Sequence, residues 1–159
     1  MATRNLIMVV DREEAKKPRE GFACSPNQVS DKSYVNMYMH HDGYPEWQGV
    51  QLANWINHFT KDDKTKLDYR MSFLDGSRVA ARLVRDHYYD SCFLYPREDY
   101  IDHQYTYIIW TGKKDVWVSC WDAYSTKNIF VLTPDKIIKK YKKDMDYTDW
   151  SKAVREEHI

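Results

Sequence analysis

Two aromatic-rich segments separated by a short polar turn constrain the fold of this chain more than any other feature. Residues 105–110 and 116–121 are rich in tyrosine, tryptophan, valine and isoleucine, which favour β-strands. Between them, residues 112–115 have the polar sequence Gly-Lys-Lys-Asp. Strand-like segments joined by a short turn that contains glycine predict a β-hairpin. Residues 128–132 predict one more strand, which extends the same sheet.

Two further strands are predicted near the start of the chain. Residues 5–10 form a nearly continuous apolar run, which indicates a strand that is buried on both faces. In residues 33–41, two tyrosines, one asparagine and His40 fall on one side of the predicted strand, and one valine, two methionines and His41 fall on the other. The valine and methionine side is expected to face the core. The dipeptide Asp42-Gly43 is typical of a turn and ends this strand.

Three helices are predicted from their start signals and apolar spacing. Pro45 and Glu46 begin the first, because proline is tolerated in a first helical turn and the helix dipole favours an acidic residue there. Residues 75–88 form the second, with apolar residues at helical spacing on one side. The dipeptide Thr133-Pro134 begins the third.

The remaining segments are predicted to be irregular. They are a long loop over residues 11–31, a charged connector over residues 61–66, an irregular stretch over residues 91–101 and a weakly amphipathic tail over residues 147–159. The element order is therefore β-β-α-α-β-β-β-α. Runs of strands separated by runs of helices indicate an α+β fold, with a mostly antiparallel sheet and helices packed on one face. The length predicts a single α+β domain over residues 1–159.

Charge argues against a general affinity for nucleic acid. Twenty-four basic residues balance twenty-four acidic ones, so a nucleic-acid partner would need a local basic patch. The last helix offers a lysine-rich side. Such a side is more typical of a solvated helix face, and nucleic acid is therefore not the expected partner. The lysines of this side are Lys136, Lys139, Lys140, Lys142 and Lys143.

Cysteine content and hydropathy indicate the compartment. Cys24, Cys92 and Cys120 are odd in number and form no Cys-x-x-Cys pair, which favours free thiols in a reducing compartment. No apolar run approaches the length that spans a bilayer, and the run at residues 6–10 is too short for a signal peptide. These features predict a cytoplasmic protein without a membrane partner.

The densest group of polar side chains lies between the second strand and the first helix. His40 close to Asp42 or Glu46 would provide a general base with an orienting carboxylate, so these three residues are the candidate catalytic residues. A structural interpretation is favoured over catalysis, because the same residues could form the turn, the helix start and a hydrogen-bonded cluster with neighbouring tyrosines.

A metal site is not predicted at this position. Histidine and carboxylate side chains are suitable ligands, but His40 and His41 are adjacent in a predicted strand and would point to opposite faces. The chain also lacks His-x-His and His-Glu-x-x-His spacings. We therefore expect no metal and no cofactor.

The same region carries a resemblance to a known family. Residues 38–46 have the sequence Tyr-Met-His-His-Asp-Gly-Tyr-Pro-Glu, and residues 3–7 have the sequence Thr-Arg-Asn-Leu-Ile. Both resemble a family of small uncharacterised proteins from tailed bacteriophages and some bacteria. Its members begin with a Thr-Arg-x-Leu-Ile strand and carry a Tyr-x-His-Trp-Asp-Gly-Tyr-Pro-Glu block before a helix. His41 replaces the tryptophan of that block. The resemblance implies a phage-type lineage.

Two functions are carried forward. The first is a phage-type accessory protein that binds a host macromolecule, most simply a host protein, in host takeover or counter-defence and without catalysis. The second is a small hydrolase or transferase that uses His40 with Asp42 or Glu46 on a nucleotide or amide substrate. In this second function the protein would bind a small-molecule ligand. The candidate binding residues around the same region are Arg4, Tyr38, His41, Tyr44 and Trp47.

Overall fold

The structure is a computed structural model, and it describes residues 3–12, 23–60, 75–88, 92–97, 102–112 and 115–141. Six strands form one sheet in the order β3-β2-β1-β4-β5-β6. The strands are β1 (Asn5–Asp11), β2 (Asn36–Met39), β3 (Cys92–Leu94), β4 (Tyr105–Thr111), β5 (Val116–Asp122) and β6 (Asn128–Leu132).

Within the described ranges, four α-helices accompany the sheet, namely α1 (Pro26–Val29), α2 (Val50–Thr60), α3 (Gly76–His87) and α4 (Pro134–Tyr141). A π-helical turn (Pro45–Gly49) leads directly into α2, so the predicted helix start at Pro45 is confirmed in position but not in type. The helix α3 begins where the Asp75 carboxylate accepts hydrogen bonds from the backbone N–H groups of Ser77 and Arg78. None of the described helices is long and apolar enough to cross a membrane.

The sheet is mixed. β1 pairs in parallel with β4, whereas the pairs β1–β2, β2–β3, β4–β5 and β5–β6 are antiparallel. Parallel neighbours need a crossover connection, and α2 and α3 lie in the chain between β1 and β4. The predicted α+β class is confirmed. The predicted element order is wrong, because it lacks α1 and β3.

Both missing elements are too short to produce a periodic apolar pattern. α1 has four residues and lies inside the segment predicted as the long loop 11–31; there the Ser25 backbone N–H donates to the Gln28 side chain at 2.8 Å. β3 has three residues and lies inside the segment predicted as irregular. β2 is also shorter than the predicted strand over residues 33–41. The predicted connector 61–66 and tail 147–159 lie outside the described residues.

The two faces of the sheet are covered differently, and each has its own core. On the helical face, side chains of α2, α3 and α4 such as Trp55, Leu83 and Ile137 pack on Ile7 and Tyr107. The opposite face, which we call the α1 face, has a smaller core that α1 covers only in part, through Val29. The core of the α1 face comprises Leu6, Met8, Val10, Val29, Tyr38, Ile108, Trp110 and Trp121. The predicted burial of both faces of the first strand is confirmed, because Asn5 through Val10 are all buried.

Candidate functional site

One row of side chains crosses five strands on the α1 face. Tyr38 of β2 is paired with Phe93 of β3 on one side and with Leu6 of β1 on the other. Leu6 is in turn paired with Thr106 of β4, and Thr106 is paired with Trp121 of β5. Because paired residues of neighbouring strands lie on the same face, these five side chains form a continuous line. We call it the cross-sheet row. It connects two features that could contact a partner, one at each end.

The first feature is an aromatic cluster at the β3 edge. The ring of Tyr38 lies 6.1 Å from that of Phe93 and 5.8 Å from that of Tyr95, the latter edge-to-face. The Tyr38 hydroxyl is hydrogen-bonded to His40 Nδ1 at 2.7 Å. Burial raises the pKa of Tyr38, and the Arg4 guanidinium opposes that rise. Phe93 is 52% exposed although it belongs to a strand, so the cluster presents an apolar ring to solvent.

The second feature is a cavity of about 520 Å³ at the β5 end of the row. Thr106 and Trp121 line it from the sheet, and Ser25 and Asn27 line it from the start of α1. Tyr124 lines it from the turn between β5 and β6. Sheet, helix start and turn thus converge on one concave region. Concave regions with aromatic walls and a few polar groups are the usual form of a ligand site.

Polar groups in the cavity are held by specific contacts. His103 is buried, and its Nε2 is 2.8 Å from the Thr106 hydroxyl. Partial desolvation and the nearby Asp102 carboxylate raise the pKa of Tyr124. The Asp102 carboxylate also lies 3.7 Å from the Arg4 guanidinium. The Arg4 guanidinium also interacts electrostatically with the Tyr38 hydroxyl. The Arg4–Asp102 ion pair therefore links the cavity to the aromatic cluster.

The predicted catalytic residues are distributed over both faces. His40 is half-buried on the α1 face and bonds Tyr38, while Asp42 is exposed in the turn with a φ of 55°, a left-handed conformation that aspartate tolerates. Burial raises the pKa of Tyr105 and Tyr141, which pack on the helical face, and the Glu46 carboxylate adds to that rise. The structure therefore brings His40 together with Tyr38 and places Glu46 on the other side of the sheet.

The predicted binding residues divide in the same way. Arg4 and Tyr38 lie together on the α1 face, and the exposed His41 contacts the His40 ring edge-on at 4.6 Å. Tyr44 and Trp47 belong to the helix start, where the Tyr44 carbonyl accepts the Trp47 backbone N–H at 3.1 Å. Arg4, Tyr38 and His41 are thus near the cross-sheet row, and Tyr44 and Trp47 contribute to the corner between strand and helix.

Gly43 fixes that corner against the sheet. Its N–H donates to the Thr3 carbonyl at 2.9 Å, and its carbonyl accepts the Tyr107 hydroxyl at 2.6 Å. A Cβ at position 43 would lie 2.7 Å from both the Asn5 side chain and the Thr3 carbonyl oxygen. Only glycine allows this close approach of two backbone segments.

Replacing Gly43 with alanine is therefore expected to lower the free energy of unfolding by about 2 kcal/mol, the usual scale of overpacking. Gly49→Ala is the matched control. Its added Cβ would meet the Phe130 ring at 3.4 Å, an ordinary contact, so its stability should be unchanged or up to about 1 kcal/mol higher. Urea unfolding of both variants measures the difference. Equal stabilities for the two variants would show that position 43 has room for a side chain.

Most residues of the cavity were not identified from the sequence. Asp102, Thr106, Trp121 and Tyr124 are not among the predicted site residues, and neither is His103. The one available signal was strand alternation, which places Thr106 on the face opposite to its tyrosine neighbours in β4. No group of three or more histidine, cysteine or acidic side chains in the described part of the chain is arranged to hold a metal ion.

Comparisons with models of protein families, with curated proteins and with solved structures give no match.

Proposed function

We propose that this chain is a binding protein without catalytic activity, and that it recognises a host protein through the α1 face. The observation that carries the proposal is the cross-sheet row, with the exposed Phe93 ring at the β3 edge and an aromatic cavity at the β5 end. The phage-type resemblance makes a host protein in the cytoplasm of a bacterial cell the expected partner. Host takeover or counter-defence is the corresponding role.

The composition of this face supports protein recognition. Aromatic residues are enriched at the centres of protein interfaces, where they act as anchors in pockets. Phe93 and Tyr124 are 52% and 64% exposed, and they lie at opposite ends of the row with the cavity beside Tyr124. A partner that covers both would bury two large rings and could insert a side chain into the cavity. Arg4 and Asp102 between them supply one charge of each sign for orientation.

Affinity capture from bacterial lysate tests the proposal with three single variants. Phe93→Ser and Tyr124→Ser should each reduce capture of the partner by about tenfold or more, because loss of an interface anchor costs about 2 kcal/mol or more. Tyr88→Ser is the matched control, since Tyr88 is also 64% exposed but lies at the end of α3 on the helical face. Capture by this variant should be unchanged.

Hydrogen exchange on the captured complex locates the contact. Slower exchange is expected at residues 92–97 and 121–124, which contain the two ends of the row and Tyr124. A partner whose capture survives both aromatic substitutions, or whose protection falls on the helical face, would refute recognition through the α1 face.

A second candidate is a small hydrolase or transferase that acts on a nucleotide or an amide. The observation that favours it is the imidazole–hydroxyl contact of His103 and Thr106 at 2.8 Å in the cavity, which is the arrangement of a base with a nucleophile. The version with His40 and Asp42 or Glu46 has its imidazole bonded to Tyr38 instead. Turnover of a nucleotide or amide substrate that Thr106→Val abolishes, with His40→Gln as the comparison, would favour catalysis in the cavity.

A further inference from the structure

β6 forms one edge of the sheet, and β3 forms the opposite edge. In the part of the chain that the structure describes, it pairs only with β5, so its outer edge has no strand neighbour. A groove of about 410 Å³ runs along this edge. It is lined by every residue of β6 from Asn128 to Leu132. An open strand edge with a groove beside it can accept another extended chain.

The other wall of this groove is basic. Lys136, Lys139 and Lys140 of α4 line it, and the lining contains no acidic residue. Lys139 and Lys140 are exposed, and the Lys140 amine lies 5.5 Å from the centre of the Tyr141 ring. We call β6 and these three lysines the β6 groove. Lys139 and Lys140 place two exposed amines beside one strand edge, in a chain whose net charge is zero.

We propose that the β6 groove binds an extended acidic segment of a partner protein, which adds to the sheet as a seventh strand next to β6. The backbone of the segment would pair with the open edge of β6. Its acidic side chains would meet the lysines of α4, and its alternate apolar side chains would pack beside Ile129 and Leu132, which are half-buried. This inference does not depend on the function proposed for the α1 face.

Two other occupants fit the observations less well. A second copy of this chain that paired through its own β6 would bring the two sets of lysines together, and lysine at a strand edge disfavours such self-pairing. A nucleic acid would be attracted by the same amines, but it has no peptide backbone that could pair with the strand edge. The aromatic ring in the lining, Phe130, is only 4% exposed and cannot stack on a base.

Fluorescence anisotropy with the full-length protein tests this proposal. The probe is a labelled peptide in which glutamate and valine alternate over seven residues. A peptide with lysine in place of glutamate tests the charge. A third peptide carries an N-methyl group on every backbone amide, which leaves its charge unchanged but removes the donors of both edges and so prevents strand pairing. The acidic probe should bind, and both modified peptides should bind about tenfold more weakly or worse.

Matched variants then assign the contact to the groove. The double substitution Lys139→Glu with Lys140→Glu should weaken binding of the acidic probe by about tenfold or more, because attraction becomes repulsion. Lys127→Glu is the control, since Lys127 is exposed in the turn before β6 and does not line the groove. Phe93→Ser and Tyr124→Ser should also leave probe binding unchanged, which separates this site from the α1 face.

Several results would overturn the proposal. Equal binding of the N-methylated probe would mean that charge alone is recognised. A DNA duplex that binds more tightly than the peptide, with the same dependence on Lys139 and Lys140, would identify a nucleic-acid site. A dimer in solution that Lys139→Glu with Lys140→Glu abolishes would identify a second copy as the occupant. No binding of the acidic probe at low salt would show that the groove does not accept a strand.

Discussion

Trp55→Ala is expected to lower the free energy of unfolding by about 4 kcal/mol, the largest loss of stability for a single substitution that we expect. The Trp55 side chain is 0% exposed and lies among the residues that join α2 to the helical face. Its indole N–H donates to Asp86 Oδ2 at 2.8 Å, and its ring meets that of His87 edge-on at 5.5 Å. Alanine would leave a cavity and would remove one hydrogen bond from a buried carboxylate.

Urea unfolding followed by circular dichroism measures this loss. Trp117→Ala is the matched control, because it removes the same side chain from a half-buried position where the indole bonds the exposed Asp115 at 3.2 Å. It should cost about 1 kcal/mol. Trp55→Phe keeps an aromatic ring but loses the N–H, and it should fall between the two at about 2 kcal/mol. A Trp55→Ala protein as stable as Trp117→Ala would mean that α2 does not contribute to the cooperative core.

The long elements could be predicted from the sequence because each carries a local signal. The hairpin β4–β5 was predicted to within one residue at its ends, since aromatic and β-branched residues flank a polar turn. β6, α3 and α4 were predicted for comparable reasons. The short elements α1 and β3 could not be predicted, because four or three residues give no period. β3 exists because its backbone pairs with β2 from Met37 to Met39, a contact between distant parts of the chain.

The parallel pairing of β1 with β4 was not predicted either. Adjacency between strands about 100 residues apart depends on how α2 and α3 cross the sheet, and no local pattern records it. The continuous apolar run of β1 is nevertheless informative about the position of β1 in the sheet. A strand buried on both faces is typical of the centre of a sheet with parallel pairs, which is where β1 lies.

The candidate site shows the same division between local and long-range information. The polar segment 40–46 is recognisable in the sequence because its polar side chains are adjacent. In the structure, the backbone of Gly43 instead fixes the corner between β2 and the helix start through its hydrogen bonds. The cross-sheet row takes one residue from each of five strands, so it exists only after the sheet has formed. Tyr38 lies two residues before the polar segment and belongs to the row, and its hydroxyl is hydrogen-bonded to His40 Nδ1.

Acidification is expected to destabilise this protein through one buried histidine. His87 is 2% exposed, and its Nδ1–H donates to the Leu83 carbonyl at 2.8 Å. Burial lowers the pKa of His87 from 6.5 to about 4, although the Leu83 carbonyl and Asp86 favour the charged form. Neutral imidazole is therefore the form that fits between α2 and α3 at physiological pH.

The direction of the pH effect follows from proton uptake. The unfolded chain binds a proton at His87 as the pH falls through about 6.5, whereas the folded protein binds it only near pH 4. In that window the unfolded state binds more protons, so the free energy of unfolding decreases as the pH falls. The contribution is complete above pH 6.5 and is lost toward pH 4, and the difference between the two pKa values corresponds to about 3 kcal/mol.

Urea unfolding at pH 7 and pH 4.5 measures this contribution against two variants. His87→Gln removes the titrating group, so its stability should fall by about 2–3 kcal/mol less than that of the unmodified protein over the same range. His41→Gln removes an exposed imidazole and should retain the full decrease. Because each variant is compared with itself at two pH values, a general loss of stability from the buried substitution does not affect the result. If His87→Gln lost as much stability in acid as the unmodified protein, the acid sensitivity would have to come from the carboxylates, and His87 would be free to accept a proton within the folded state.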